Sequence, residues 1–357
     1  MRQNNYFIML FKALFFSMII ITTSSARAEL KVVTTIKPLY SLVANVMDGV
    51  GEPSLIIEGS TSPHSFTLKP SHAKLLEEAD LIFWVGEGIE TFMEGPLESI
   101  AKNAEVVEFM EVESIEKLKF REESIFGDHD EHDDHDDHDD HDDHDDHDGH
   151  DDHDEHDEHD DHDDHDDHDE HDDHDDHDDH KEHDDHGHAH GEFDAHIWLD
   201  PSNAKEMVHE IAHELGDLDP ANKDKYEANA EATIIALDQL IKDVSKDINK
   251  GAKFVVFHDA YQYFEERFGV RAAGALTLNT DVLPGAKQVA DIQDVIEDKG
   301  INCIFSEPQF NPKIISTIAE DTNIKTGVFD PLGANITSDK ELYFKLISNL
   351  SNQLKDC

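Results

Sequence analysis

The chain has 357 residues and a formal charge of −56, with 84 acidic side chains against 28 basic ones. So negative a balance excludes the phosphate backbone of nucleic acid as a partner. The excess is uneven: residues 128–190 hold 37 of the carboxylates and one basic side chain, Lys181, which leaves a more ordinary composition elsewhere.

Residues 1–28 read as a secretory signal, with Arg2 and Lys12 as positive charge, an apolar run from Ala13 to Ile21, and Ala26-Arg27-Ala28 as a small-x-small cleavage site. No cysteine stands near that site, so the expectation is export to the periplasm without a lipid anchor. No later stretch reaches 18 apolar residues, so no membrane span is expected.

Residues 29–127 together with 191–216 are expected to form a first α/β lobe. Strands are predicted at Leu30–Ile36, Ser54–Ile57, Asp80–Val85 and Ala104–Phe109. Helices are predicted between them, from Pro38 to Met47, from Ser71 to Glu78, and from Ile89 to Lys102 with Pro96 as a break. After residue 190 a helix runs from Ser202 to Leu215. A long one follows from Pro220 to Asn249, with Asp219 as N-cap and Pro220 in its first turn. That second helix, within 219–250, is expected to be a rigid connector.

The pattern restarts in 251–357, the second lobe, with strands at Phe254–Phe257, Val270–Leu276, Cys303–Phe305 and Lys325–Phe329. Helices are expected at Ala260–Phe268, Pro284–Lys299, Pro312–Glu320 and Asp339–Leu354. The fold class is therefore α/β: two lobes, each a mostly parallel four-stranded sheet with flanking helices, joined by one long helix, with a ligand cleft between them. The only two cysteines, Cys303 and Cys357, are expected to bridge in an oxidising compartment; the alternative is a buried free Cys303 and a free terminal Cys357.

Of 28 histidines, 22 lie in 128–190, every third residue from His129 to His186 and then His188 and His190. The segment offers nothing apolar to bury, so it is expected to remain disordered. Its imidazoles suit Zn, Ni or Cu and its carboxylates neutralise the cation. His129, His132, His135, His138 and His141 at one end, and His180, His183, His186, His188 and His190 at the other, are accessory weak metal-binding candidates. The alternative is a solvated acidic stretch.

Six histidines lie elsewhere: His64, His72, His196, His209, His213 and His258. His64 follows the second strand, His196 follows the acidic segment, and His258 ends a strand, as Asp330 ends another. Three imidazoles and a carboxylate make a plausible tetrahedral zinc set, but spacing alone does not assemble them. His64 is equally a surface-loop residue, His258 a core histidine, and Asp330 an Asp-Pro turn.

The stretches Pro63-His64-Ser65-Phe66-Thr67-Leu68-Lys69-Pro70-Ser71, His196-Ile197-Trp198-Leu199-Asp200-Pro201, Phe257-His258-Asp259-Ala260-Tyr261, Glu307-Pro308-Gln309-Phe310 and Asp330-Pro331-Leu332-Gly333 resemble the periplasmic solute-binding proteins of zinc ABC importers, the cluster A-I metal-binding family. The likeness covers nearly the whole chain after residue 28, in order, including a histidine-rich acidic insertion before the second histidine motif. It implies two lobes bridged by a long helix, and one zinc ion between them. The metal ligands it implies fall on His64, His196 and His258, with Asp330 or water as the fourth, and Asp259 and Glu307 as candidate supporting residues. It also implies the Cys303–Cys357 bridge. Some relatives carry glutamate directly before the first histidine, where this chain has Pro63. Manganese-type relatives carry glutamate at the position of His258, and a third imidazole favours zinc. His72 is expected on the surface.

A competing signal is His209-Glu210-Ile211-Ala212-His213, which matches the H-E-x-x-H zinc-protease pattern. Ala204, Met207, Val208, Ile211, Ala212 and Leu215 form one apolar stripe on that helix, leaving His209 and His213 toward solvent. All seven methionines lie at or before Met207, so no Met-turn follows the motif. The expectation is a monomeric, non-enzymatic zinc-capture protein that hands Zn²⁺ to a membrane permease. The alternatives are a zinc buffer acting through the histidine-rich segment and, remotely, a secreted protease.

Overall fold

The structure, a computed structural model, describes residues 30–126 and 191–357 apart from 279, 281–283, 323 and 356. The signal segment 1–28 and the whole histidine-rich segment 128–190, with its ten accessory metal-binding candidates, fall outside the described residues.

Two all-parallel sheets of four strands carry the fold. The first contains β1 (Val32–Thr34), β2 (Ser54–Leu55), β3 (Leu81–Trp84) and β4 (Glu105–Glu108) in the order β2-β1-β3-β4. The second contains β5 (Phe254–His258), β6 (Ala275–Thr277), β7 (Cys303–Ser306) and β8 (Lys325–Val328) in the order β6-β5-β7-β8. The two orders are the same: each sheet begins on its second strand from one edge and reverses there. β3 and β5 are buried along their whole length, as their unbroken apolar runs require when both faces are covered.

The covering helices are α1 (Lys37–Val46), α2 (Pro70–Glu78), α3 (Glu94–Ser99), α4 (Pro201–Leu218), α5 (Lys223–Asp247), α6 (Gln262–Phe268), α7 (Ala286–Asp298), α8 (Lys313–Thr322) and α9 (Leu342–Leu354). The apolar stripe expected on α4 is buried residue for residue, while His209 and His213 are exposed. α5 has 25 residues, so it extends for about 37 Å. It packs on α1, α4 and α9 and leads into β5. One apolar cluster runs through both sheets, from Val33 and Phe83 to Phe254 and Phe305, and the two lobes belong to one compact unit. Cys303 and Cys357 are bridged, tying β7 to the end of the chain.

Four local expectations differ. The helix expected from Ile89 to Lys102 shrinks to a 3₁₀ turn at Thr91–Met93 and the six residues of α3, where Gly95 and Pro96 weaken helix propagation. Asp219 caps the end of α4 and does not start α5: its carboxylate accepts from Asn222 Nδ2, and α5 begins only at Lys223. β6 is three residues; just before it Gly274 forms an antiparallel bridge with Ile125 of the first lobe, while its carbonyl accepts from the Val256 amide of β5. His72 is half-buried, stacks on Phe66, and accepts at Nδ1 from the Lys69 amide, so it closes a capping box at the start of α2.

Candidate metal centre

Three histidines reach one point from three separate pieces of chain. His64 sits in the 3₁₀ turn Pro63–Ser65, where proline presets the backbone for the first turn. His196 precedes the 3₁₀ turn Ile197–Leu199, and His258 is the last residue of β5. Their ligand-capable atoms all lie within 4.8 Å of one another, and among the described residues no other group of three does so. His196 Nε2 and His258 Nε2 stand 3.3 Å apart. His196 and His258 are 5% and 3% exposed, while His64 is less buried.

The outward nitrogens of the two buried rings are held by carboxylates. Asp194 Oδ1 lies 2.7 Å from His196 Nδ1, and Glu307 Oε1 lies 2.7 Å from His258 Nδ1. With Nδ1–H donated to a carboxylate, each ring keeps a neutral Nε2 lone pair directed at the other histidines, the arrangement by which proteins orient imidazole ligands and raise their basicity. Burial pulls the His258 imidazole down, but the Glu307 charge and hydrogen bond, with Asp259 and Asp194 nearby, outweigh this and raise it above the ordinary histidine value.

Asp194 is itself fixed. Its Oδ1 accepts from the His196 amide, its Oδ2 accepts from Gln262 Nε2, and its carbonyl accepts from the Tyr263 hydroxyl at 2.6 Å. The turn after His196 is stapled from elsewhere in the chain, with Trp198 Nε1 donating to the Pro331 carbonyl and the Tyr343 hydroxyl donating to the Trp198 carbonyl. At its end Asp200 caps α4 and takes both arms of Arg267 at 2.7 Å, a bidentate pair.

The remaining sequence candidates are placed differently. Glu307 touches a predicted ligand, and Asp259, which lines the cavity beside the rings, pairs with Arg121 2.8 Å away, which also binds Glu265. Burial raises the Asp259 carboxyl to about 7, against the lowering effect of Arg121. Asp330 stands outside the histidine cluster. Its Oδ1 accepts from Gln309 Nε2 and from the amides of Leu332 and Gly333, and its Oδ2 from the Ala334 amide at 2.6 Å. The turn so formed offers the carbonyls of Gly333, Ala334 and Ile336 to Lys37 Nζ, which reaches across from α1. Sequence reasoning missed Asp194, Gln262, Tyr263 and Arg121. The only available signal was Asp194 two residues before a histidine, and the other three depend on the tertiary fold.

Beside the imidazoles lies a cavity of about 210 Å³, lined by Gly88, Ile89, Phe120, Ala195 and Leu278 as well as by the histidines and Arg121. That is smaller than the roughly 300–1,000 Å³ typical of pockets for organic ligands. It suits an ion with a few waters.

Residues 32–357 match the family model described as "Zinc-uptake complex component A periplasmic" (ZnuA). A "High-affinity zinc uptake system protein ZnuA" from Brucella abortus (strain 2308) is 47% identical over 328 residues, 91% of each chain. A protein of the same description from Yersinia pestis is 33% identical over 333 residues, 92% of each. A solved structure described as "Crystal structure of ZnuA" superposes with a TM-score of 0.64, covering 91% of this chain and 98% of that one at 19% identity, a likeness of fold. The chain belongs to the ZnuA family, whose members are binding components of a zinc uptake system and not enzymes.

Proposed function

We propose that this chain, as a member of that family, captures Zn²⁺ in the periplasm through His64, His196 and His258 and delivers it as a monomer to the membrane permease of an ABC importer. What supports this most is the pair of carboxylate-held imidazoles, Asp194–His196 and Glu307–His258, whose Nε2 atoms converge with His64. Three neutral nitrogens form a borderline-soft donor set that selects zinc over oxygen-seeking manganese. The carboxylates behind two of the rings offset the charge of the ion without ligating it. With Asp330 committed to four hydrogen bonds, the fourth position falls to water from the adjoining cavity. Ligands drawn from both lobes make release a matter of parting them, the step assigned to the permease.

Export is proposed to follow cleavage of residues 1–28, and the histidine-rich segment is proposed to collect zinc through many weak sites. Among the described residues no helix is long and apolar enough to cross a membrane. The alternative, a buffer acting through 128–190, makes an opposite prediction: a variant lacking 128–190 should then show no tight site. Under the proposal that variant keeps one tight zinc per chain and loses only capacity. Losing the tight site would favour the buffer.

A further inference from the structure

One motif takes no part in the cleft. His209 and His213 are an i, i+4 pair on α4, both exposed and on one side of the helix. The neighbouring α5 runs antiparallel to α4, and contacts at two points fix its register. Lys205 Nζ donates to Asp238 Oδ1 at 2.9 Å. At the other end the absence of a side chain at Gly216 admits the Lys223 stem, whose Cγ would stand 3.0 Å from a Cβ there. Between these contacts lie His209 and His213 of α4 and Glu231 and Glu227 of α5, a second exposed i, i+4 pair, while His213 Nε2 stands 3.9 Å from Glu214 Oε1 and from Asp217 Oδ2 of its own helix. The buried Ala212 and Ala230 form a shallow floor between the helices, and both histidines and both glutamates line the resulting groove of about 410 Å³.

We propose that this groove is a second cation site, taking Zn²⁺ or a similar borderline divalent ion. His209 and His213 bind it through imidazole nitrogens, and Glu227 and Glu231 supply oxygen donors from the facing helix. Two imidazoles and two carboxylates meet the coordination and charge needs of such an ion, and facing helices commonly build metal sites from these residue types at these spacings. Lys223 also lines the groove and is paired with Asp217 at 3.2 Å. The four side chains do not approach as closely as the cleft histidines, and exposed side chains must give up rotamer freedom to close on an ion. The groove therefore fills at higher zinc concentration than the cleft.

The full-length chain tests this by titration with Zn²⁺ alone, reading the rates at which diethyl pyrocarbonate modifies His209 and His213 by peptide mass spectrometry, which separates them from the other histidines. Both should slow together, at zinc concentrations above those that protect His196 and His258. Because a chelate behaves as if its second arm were at about millimolar concentration, His209→Ala should move the protection of His213 to about a hundredfold more zinc. The Glu227→Gln, Glu231→Gln double variant should raise the midpoint for both histidines severalfold without altering cleft protection. Unchanged rates at saturating zinc would overturn the proposal. So would a midpoint indifferent to the two glutamine substitutions, which would leave adventitious binding by surface imidazoles only.

Discussion

At the carboxyl ends of its central strands the first sheet places Thr35 and Glu90, and the second places His258 and Glu307. In both, a carboxylate beyond the third strand in chain order bonds the residue closing the first: Glu90 Oε1 accepts from Thr35 Oγ1 at 2.5 Å, and Glu307 Oε1 lies 2.7 Å from His258 Nδ1. Both carboxylates are buried, and both lie where the strand order reverses, the place at which open α/β sheets bind ligands. The outcomes differ because of what each carboxylate meets. Glu90 is enclosed by neutral donors, the Thr35 hydroxyl and the amides of Val85 and Gly86. Burial lifts its carboxyl to about 7 despite them, with Glu108 adding to the rise. Glu307 meets an imidazole that can take a charge or a metal. The same architectural position thus braces a loop in one lobe and a proposed metal ligand in the other.

The largest expected effect falls on the bracing side. Glu90→Ala strands three donors and opens a void, so it should destabilise by about 3–5 kcal/mol in urea unfolding while leaving zinc affinity per folded molecule unchanged. Glu90→Gln tests the charge. The wild-type carboxyl is raised, so its contribution to stability is complete below the usual glutamate range and is lost as pH climbs from there to about 7. The glutamine variant should lack this slope and gain on the wild type between pH 5 and pH 8. A parallel pH profile for the two proteins would contradict the assignment.

On the ligand side, Glu307→Gln should weaken zinc binding by about 10–100-fold, the usual cost of losing a partner that orients a histidine ligand, with little loss of fold. His258 is raised in the zinc-free protein, so proton competition there begins above the ordinary histidine range. Zinc affinity should therefore fall as pH drops into the ordinary histidine range, the fall beginning at higher pH in wild type than in Glu307→Gln. A smaller effect is expected at Asp330. Asp330→Asn keeps one carbonyl acceptor for the turn, so zinc affinity should change by less than about tenfold while stability drops by about 1 kcal/mol. A larger loss of affinity would return Asp330 to the ligand set.

Much of this was legible from residue patterns. β3 and β5 announced themselves as apolar runs, and the buried stripe of α4 exposed His209 and His213 and so separated that pair from a protease site. His64, His196 and His258 each stood at a strand end or loop, and resemblance joined them. The roles of the carboxylates were less visible. Asp330 ends a strand as a ligand might, but the chain does not declare that the amides of 332–334 will claim its oxygens. Resemblance named Glu307 as a candidate support, but the partners of Glu307 and Asp194 are fixed only by folding, which brings their oxygens to Nδ1 atoms, for Glu307 one 49 residues away. Gln262, Tyr263 and Arg121 act through contacts more than 60 residues long in sequence, which no local period encodes.

The most direct test is calorimetric zinc titration of the chain lacking 128–190, side by side with the same chain carrying His258→Ala. The account predicts one tight zinc per molecule in the first, and in the second an affinity lower by at least about a hundredfold, the worth of one ligand in a three-histidine set. Equal affinities in the two would contradict it, as would a first chain with no tight site.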